Sequence, residues 1–135
     1  MTPLMLVVAA VIEQDGRFLV TLRPEGTHLG GMWEFPGGKI APDEHHRDAL
    51  RREIREELDT DVDVHELVHM TTFPYPDRTV CLYFYRCTLA GTPRPLLGQQ
   101  MRWASPGEVA TLPFPPADAE LLRRLTLKSP DRPVP

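Results

Sequence analysis

The chain has 135 residues, 41% of them apolar, which is enough material for one hydrophobic core and one domain. A formal net charge of −4 excludes the basic field with which a nonspecific nucleic-acid binder neutralises phosphates. The apolar run from Leu4 to Ile12 has no basic flank and is far shorter than the ~20 residues that span a bilayer, so no membrane partner is expected.

In chain order, Leu4 to Ile12 reads as a buried strand and Arg17 to Leu22 as its partner, because the Asp15-Gly16 pair between them is a hairpin signal. A short extended piece, Trp33 to Phe35, leads into Gly37-Gly38. These glycines are expected to form a close turn, where backbone approaches a ligand or metal with no Cβ in the way. A helix is predicted from about Glu44 to Leu58, since this stretch lacks Gly and Pro and carries Leu50, Ile54 and Leu58 at i, i+4 and i+8.

Val62 to Phe73 and Thr79 to Leu89 read as further strands, with Pro74 and Pro76 breaking the chain between them. Cys81 and Cys87, six residues apart in one extended strand, would sit ~20 Å from each other and cannot bond. They are expected as core thiols of a cytoplasmic protein. Gly91 to Gly98 is a proline-containing loop, and Gln99 to Ala104 another strand. Ser105 and Glu108 form a capping box around Pro106 and start a short helix. A final helix from about Pro116 to Leu127 should bury Leu121, Leu122 and Leu125. The order of elements predicts an α/β (α+β) fold with helices packed on a mixed sheet. One domain covers residues 1–128, and the proline-bearing tail, 129–135, is expected to be frayed.

The chemistry concentrates on the first helix. At about 100° per residue, Glu53 and Glu57 lie one turn apart with Glu56 on an adjoining face. Like charges so placed repel, and a helix needing only solubility would interleave lysines, of which this one has none. Carboxylates in this array suit a hard divalent cation such as Mg²⁺ or Mn²⁺, the usual bridge to a substrate's phosphates. A charge run alone would read as a solvated face; the glycine pair just upstream favours the metal site.

Gly38, five residues, Glu44, seven residues, then Arg52-Glu53-Ile54-Arg55-Glu56-Glu57 resembles the Nudix box, G-x5-E-x7-R-E-U-x-E-E-x-G-U, where U is bulky and apolar. Asp59 and Thr60 depart from the pattern's closing glycine and apolar residue. Asp tolerates the left-handed conformation at a small cost in stability. Beyond the box, Trp33 to Ile40, Thr21-Leu22-Arg23, Pro76-Asp77-Arg78, Trp103-Ala104-Ser105-Pro106 with Glu108, and Pro115-Pro116-Ala117-Asp118 resemble the MutT-type nucleoside triphosphate diphosphatases, including CTP pyrophosphohydrolases.

The resemblance implies an αβα sandwich and hydrolysis of a (deoxy)nucleoside triphosphate to the monophosphate and pyrophosphate, in nucleotide-pool sanitation by a cytoplasmic monomer or homodimer. Glu53, Glu56 and Glu57, with the Gly37 or Gly38 carbonyl, would hold Mg²⁺. Glu53 would be catalytic, with Glu44 and Arg52 in support and Arg52 paired to Glu56. Arg23 and Arg78 would contact the nucleotide, Phe35 would lie near the base and Asp118 would read its edge. Each of these four has a plain structural alternative: surface cations, ordinary core, and a favourable charge in a helix's first turn.

An ionised Asp118 only accepts hydrogen bonds, which tilts the expectation toward (d)CTP-like bases. Oxidised purines such as 8-oxo-dGTP become accessible if the group holds a proton. Relatives often carry a general base just before the tryptophan strand, yet Leu96-Leu97-Gly98-Gln99-Gln100 has no carboxylate. Two other functions share the box: hydrolysis of ADP-ribose or another nucleoside diphosphate derivative, and a non-catalytic nucleotide sensor.

Overall fold

A computed structural model describes residues 3–127. The described strands are β1 (Leu4–Gln14), β2 (Arg17–Leu22), β3 (Trp33–Glu34), β4 (Gly37–Lys39), β5 (Val62–Tyr75), β6 (Arg78–Leu89) and β7 (Met101–Ala104). Helix α1 spans His46–Leu58 and α2 Pro106–Val109; a 3₁₀ turn at Pro116–Asp118 leads into α3 (Ala119–Leu127). The predicted tail, 129–135, lies outside the described residues.

β1 organises the sheet. It pairs in parallel with β6 and antiparallel with β2 and β4, while β5 lies on the far side of β6 and β3 and β7 flank β2. Its side chains alternate between two cores. Val8, Ala10 and Ile12 pack with Ala49, Leu50, Ile54 and Leu58 of α1, whereas Ala9 and Val11 join Phe84, Val109 and Leu121 on the side of α2 and α3. A strand covered on both faces must be apolar throughout, which explains the continuous run read from the sequence. The result is a mixed sheet between helices, the expected sandwich. Burying the α1 seam contributes about 1.5–3 kcal/mol for each large aliphatic side chain.

Several elements differ from expectation for identifiable reasons. β1 runs on to Gln14, and Asp15 and Gly16 form the turn with φ of 52° and 76°, the left-handed pair of a tight hairpin. Gly37 and Gly38 are not a turn. They form β4, with Val8 opposite Gly38 and Ala9 opposite Gly37. α1 begins at His46 and not at Glu44, because Asp43 adopts φ 62° and Glu44 closes a turn onto Ala41. β5 passes through Pro74 to Tyr75, which a sheet edge permits since no further strand needs the missing N–H. The final helix is split by its 3₁₀ start, and Leu121 is fully buried while Leu122 and Leu125 are partly so. Cys81 and Cys87 are buried free thiols. Among the described residues no helix is long and apolar enough to cross a membrane.

Candidate active site

The glycine pair is needed for close approach. A Cβ on Gly37 would stand 2.0 Å from the Val8 carbonyl oxygen, and one on Gly38 would stand 2.3 Å from Glu53 Cδ. Real Cβ atoms never come so near, so glycine at position 38 is the condition for seating the Glu53 carboxylate against β4. α1 supplies that carboxylate because its apolar seam fixes the helix on β1, turning Glu53 toward the strand.

Arg52 holds the array together. Its Nε and Nη2 donate to the two Glu44 carboxylate oxygens, both at 2.9 Å, while Nη1 donates to Glu53 Oε1 at 2.9 Å. Nη2 also donates to the Lys39 carbonyl at 3.1 Å, tying the helix to β4. The expected Arg52–Glu56 pair is present at 3.4 Å and is the longest of these contacts. Glu44 is the main partner, and its bidentate geometry is the stronger kind. The Arg52 guanidinium and then the Ala41 amide hold the Glu44 carboxyl down at about 2.

Glu57 shows whether a cation fits. Its Oε2 is buried with no hydrogen-bond partner among the described residues. Burial first, then the Glu34 and Glu53 carboxylates, push Glu57 up to about 9. A carboxylate confined beside two others is stabilised by a divalent cation, and hard oxygen donors are what such a cation requires. Glu57, with Glu53 beside it, therefore has the donor chemistry of a ligand for such an ion. The set is not drawn together in advance: among the described residues no three His, Cys, Asp or Glu side chains are grouped as a metal site.

Beside the array lies a cleft of about 430 Å³. Its apolar surfaces come from Val7, Val80, Leu82, Phe84 and Phe35, and its polar rim from Arg23, Glu34, Arg78 and Asp118. Gly37 and Gly38 line it too, so cleft and carboxylate array meet at β4. All four residues expected to touch a nucleotide share this one cleft. Phe35 is at once core and cleft surface, 3% exposed and edge-on to Phe84 with ring centroids 6.1 Å apart.

The arginines are not isolated surface cations. Arg23 Nη1 donates to Glu34 Oε1 at 2.9 Å and its Nε to the His28 carbonyl at 2.7 Å. Arg78 donates twice to Asp77 Oδ2, at 3.0 and 2.8 Å. Asp118 is placed by the 3₁₀ turn, where the Ala117 amide donates to the Tyr75 hydroxyl at 3.2 Å. The residue is 5% exposed. Burial, then the Glu34 carboxylate, push it up to about 7.

Glu34 was missing from the sequence-derived set. It lies between the array and the cleft, with burial raising its carboxyl above the ordinary range while Arg23 opposes the rise. The signal was a carboxylate set between Trp33 and Phe35, a position that must be partly buried in an apolar strand. The region without a general base has another task. Arg94 and Leu96 amides donate to the Leu58 and Glu57 carbonyls at 2.8 and 2.9 Å, and Gln99 Nε2 donates to the Glu57 carbonyl at 3.4 Å. The segment caps the end of α1, satisfying carbonyls that a helix terminus leaves open.

The departure from the box pattern is also explained. Asp59 closes α1 with φ 55° and ψ 39°, the left-handed conformation that glycine adopts most readily. Thr60 is 6% exposed and turns its hydroxyl onto the Asp61 carbonyl at 3.1 Å.

A mixed sheet between helices, with a carboxylate helix seated on a glycine strand at the edge of an apolar cleft, defines a Nudix-type hydrolase. The NUDIX domain matches residues 7–124, and the chain belongs to that family. It is similar to the CTP pyrophosphohydrolase of Escherichia coli, with 41% identity covering 86% of this chain and 87% of that protein. It is also similar to the 8-oxo-dGTP diphosphatase of Haemophilus influenzae, with 34% identity covering 88% and 89%. Among solved structures, the E. coli ORF135 protein superposes with a TM-score of 0.82 at 37% identity, covering 99% of this chain and 96% of that one.

Proposed function

We propose that the chain hydrolyses (deoxy)nucleoside triphosphates to the monophosphate and pyrophosphate, as a cytoplasmic enzyme of nucleotide-pool sanitation. The observation that carries this reading is the meeting at Gly38, which lines the nucleoside-sized cleft and backs the Glu53 carboxylate. Phosphates attached to a nucleoside in the cleft would extend over the array.

Phe35 and the apolar floor would take the base, and Asp118 its polar edge. Arg23 and Arg78, each held by a neighbouring carboxylate, would orient the substrate without leaving a bare positive charge. Glu53, Glu56 and Glu57 with the Gly37 or Gly38 carbonyl would hold the ion, Mg²⁺ in our reading and Mn²⁺ as its substitute. A bound divalent cation supplies charge neutralisation on the phosphates and acidification of the attacking water. Glu53 would accept a proton from the water whose oxygen bonds to the α-phosphorus, while the α–β anhydride P–O bond breaks and pyrophosphate leaves with the electron pair of that bond. Arg52 keeps Glu53 in place throughout, and Glu44 keeps Arg52.

The base follows from Asp118. Ionised, it accepts only and suits the amino edge of cytosine, in line with the similarity to the CTP pyrophosphohydrolase. Because its carboxyl is raised to about 7, a sizeable protonated fraction exists at neutral pH. That fraction donates to a carbonyl, which admits an oxidised purine as a second substrate. A screen of canonical and oxidised triphosphates with Mg²⁺, following pyrophosphate, tests the reading: release from one or more supports it, and no release from any contradicts it. We read the functional unit as a single domain acting as monomer or homodimer.

A further inference from the structure

His28 belongs neither to the carboxylate array nor to the four residues that meet the nucleotide in the cleft. It sits in the turn between β2 and β3, and it lines the same cleft as Arg23 and Asp118. Its backbone is fixed, because its carbonyl accepts from Arg23 Nε at 2.7 Å. Its ring is fixed as well, standing edge-on to Tyr75 with centroids 5.1 Å apart and planes at 88°. Tyr75 in turn holds the Ala117 amide next to Asp118.

The two ring nitrogens have different surroundings. Nδ1 lies 4.0 Å from Asp77 Oδ2, the oxygen that also accepts from Arg78. With the proton on Nδ1, the nitrogen nearer the Asp77 carboxylate, Nε2 is an acceptor. Nε2 is buried and has no partner among the described residues. Buried polar atoms are normally satisfied, and an exception inside a ligand cleft indicates an interaction that the ligand completes.

We propose that His28 is a substrate-positioning residue whose Nε2 accepts a hydrogen bond from an N–H or O–H donor on the nucleoside part of the substrate. The proposal rests on the triphosphate reading. A nucleoside carries such donors in two places, the sugar hydroxyls and the amino or imino groups of the base. Tyr75 acts through His28 by holding its ring angle.

The test uses the full chain with Mg²⁺, measuring calorimetric Kd and KM for wild type, His28→Phe and His28→Gln. CTP is the reference nucleotide; dCTP lacks the 2′-hydroxyl, 2′,3′-dideoxy-CTP lacks both sugar hydroxyls, and UTP replaces the exocyclic amino group with a carbonyl while gaining an N3–H. Phe keeps the contact with Tyr75 and deletes the acceptor, whereas Gln restores an acceptor oxygen; His28→Leu replaces the Phe variant if melting shows that Phe is not accommodated. The expected result is a rise of about tenfold in Kd and KM for His28→Phe on nucleotides holding the donor, with kcat little changed. On the analogue lacking the donor the ratio falls to about one, and that analogue names the source. His28→Gln should recover most of the loss. Unchanged Kd and KM on every nucleotide, or an equal loss on all four, would overturn the role of His28 while leaving wild-type turnover and the triphosphate reading intact. Failure of wild type to bind any nucleotide overturns both.

Discussion

Glu53 rests against Gly38 so closely that a Cβ on the glycine would lie 2.3 Å from Glu53 Cδ, while a Cβ on neighbouring Gly37 would lie 2.0 Å from the Val8 carbonyl oxygen. The two glycines therefore serve different ends. In Gly38→Ala the obstacle is the tip of a side chain, which can swing aside. Folding should survive, with turnover down ~100-fold from misplacement of Glu53. In Gly37→Ala the obstacle is backbone. β4 must part from β1, at about 3 kcal/mol in chemical denaturation. Equal effects of both substitutions on stability and turnover would refute this division.

Asp59 occupies a left-handed position, φ 55°. Asp59→Gly should stabilise the protein by about 0.5–1 kcal/mol and raise Tm by roughly 3 °C, with turnover unchanged. The side chain's ion pair with Arg94 is 3.7 Å long and exposed, so its loss subtracts little. A fall in Tm would mean that the Arg94 pair outweighs the backbone strain.

Asp118 predicts a pH dependence with a definite sign. Its carboxyl rises from the ordinary 3.8 to about 7 in the folded protein. Between those values the folded state holds a proton that the unfolded state has lost. Its contribution to stability is thus full at low pH and is lost as pH rises through the window to about 7. Asp118→Asn should flatten that part of the stability profile. The same titration alters selectivity: from pH 6 to pH 8, kcat/KM for an oxidised purine should fall relative to dCTP in wild type. In Asp118→Asn the ratio should stay constant. A wild-type ratio that does not move with pH would remove Asp118 from base recognition.

The legible and illegible parts of this protein separate by the range of the interactions. The α1 seam and the positions of Glu53, Glu56 and Glu57 follow from helical period, because they depend on residues three and four apart. The same period predicts Arg52–Glu56 but not the stronger Arg52–Glu44 pair, which needs the turn created by Asp43. Gly37 and Gly38 were readable as positions that exclude a Cβ. What they make room for, Val8 and Glu53, depends on sheet pairing and helix docking far along the chain. Pro74 reads as a strand break unless the strand is known to lie on an edge. Glu34 is marked only by a carboxylate between two aromatics, and His28 by no local pattern, since the one acts beside Glu57 of α1 and the other against Tyr75 of β5.

If Glu53, seated on Gly38, is the catalytic carboxylate of a triphosphate-hydrolysing site, Glu53→Gln, which keeps shape and removes the charge, should lower pyrophosphate release from the best triphosphate with Mg²⁺. The expected loss is at least ~10³-fold in kcat with an unchanged melting temperature. Turnover within a few-fold of wild type would contradict it.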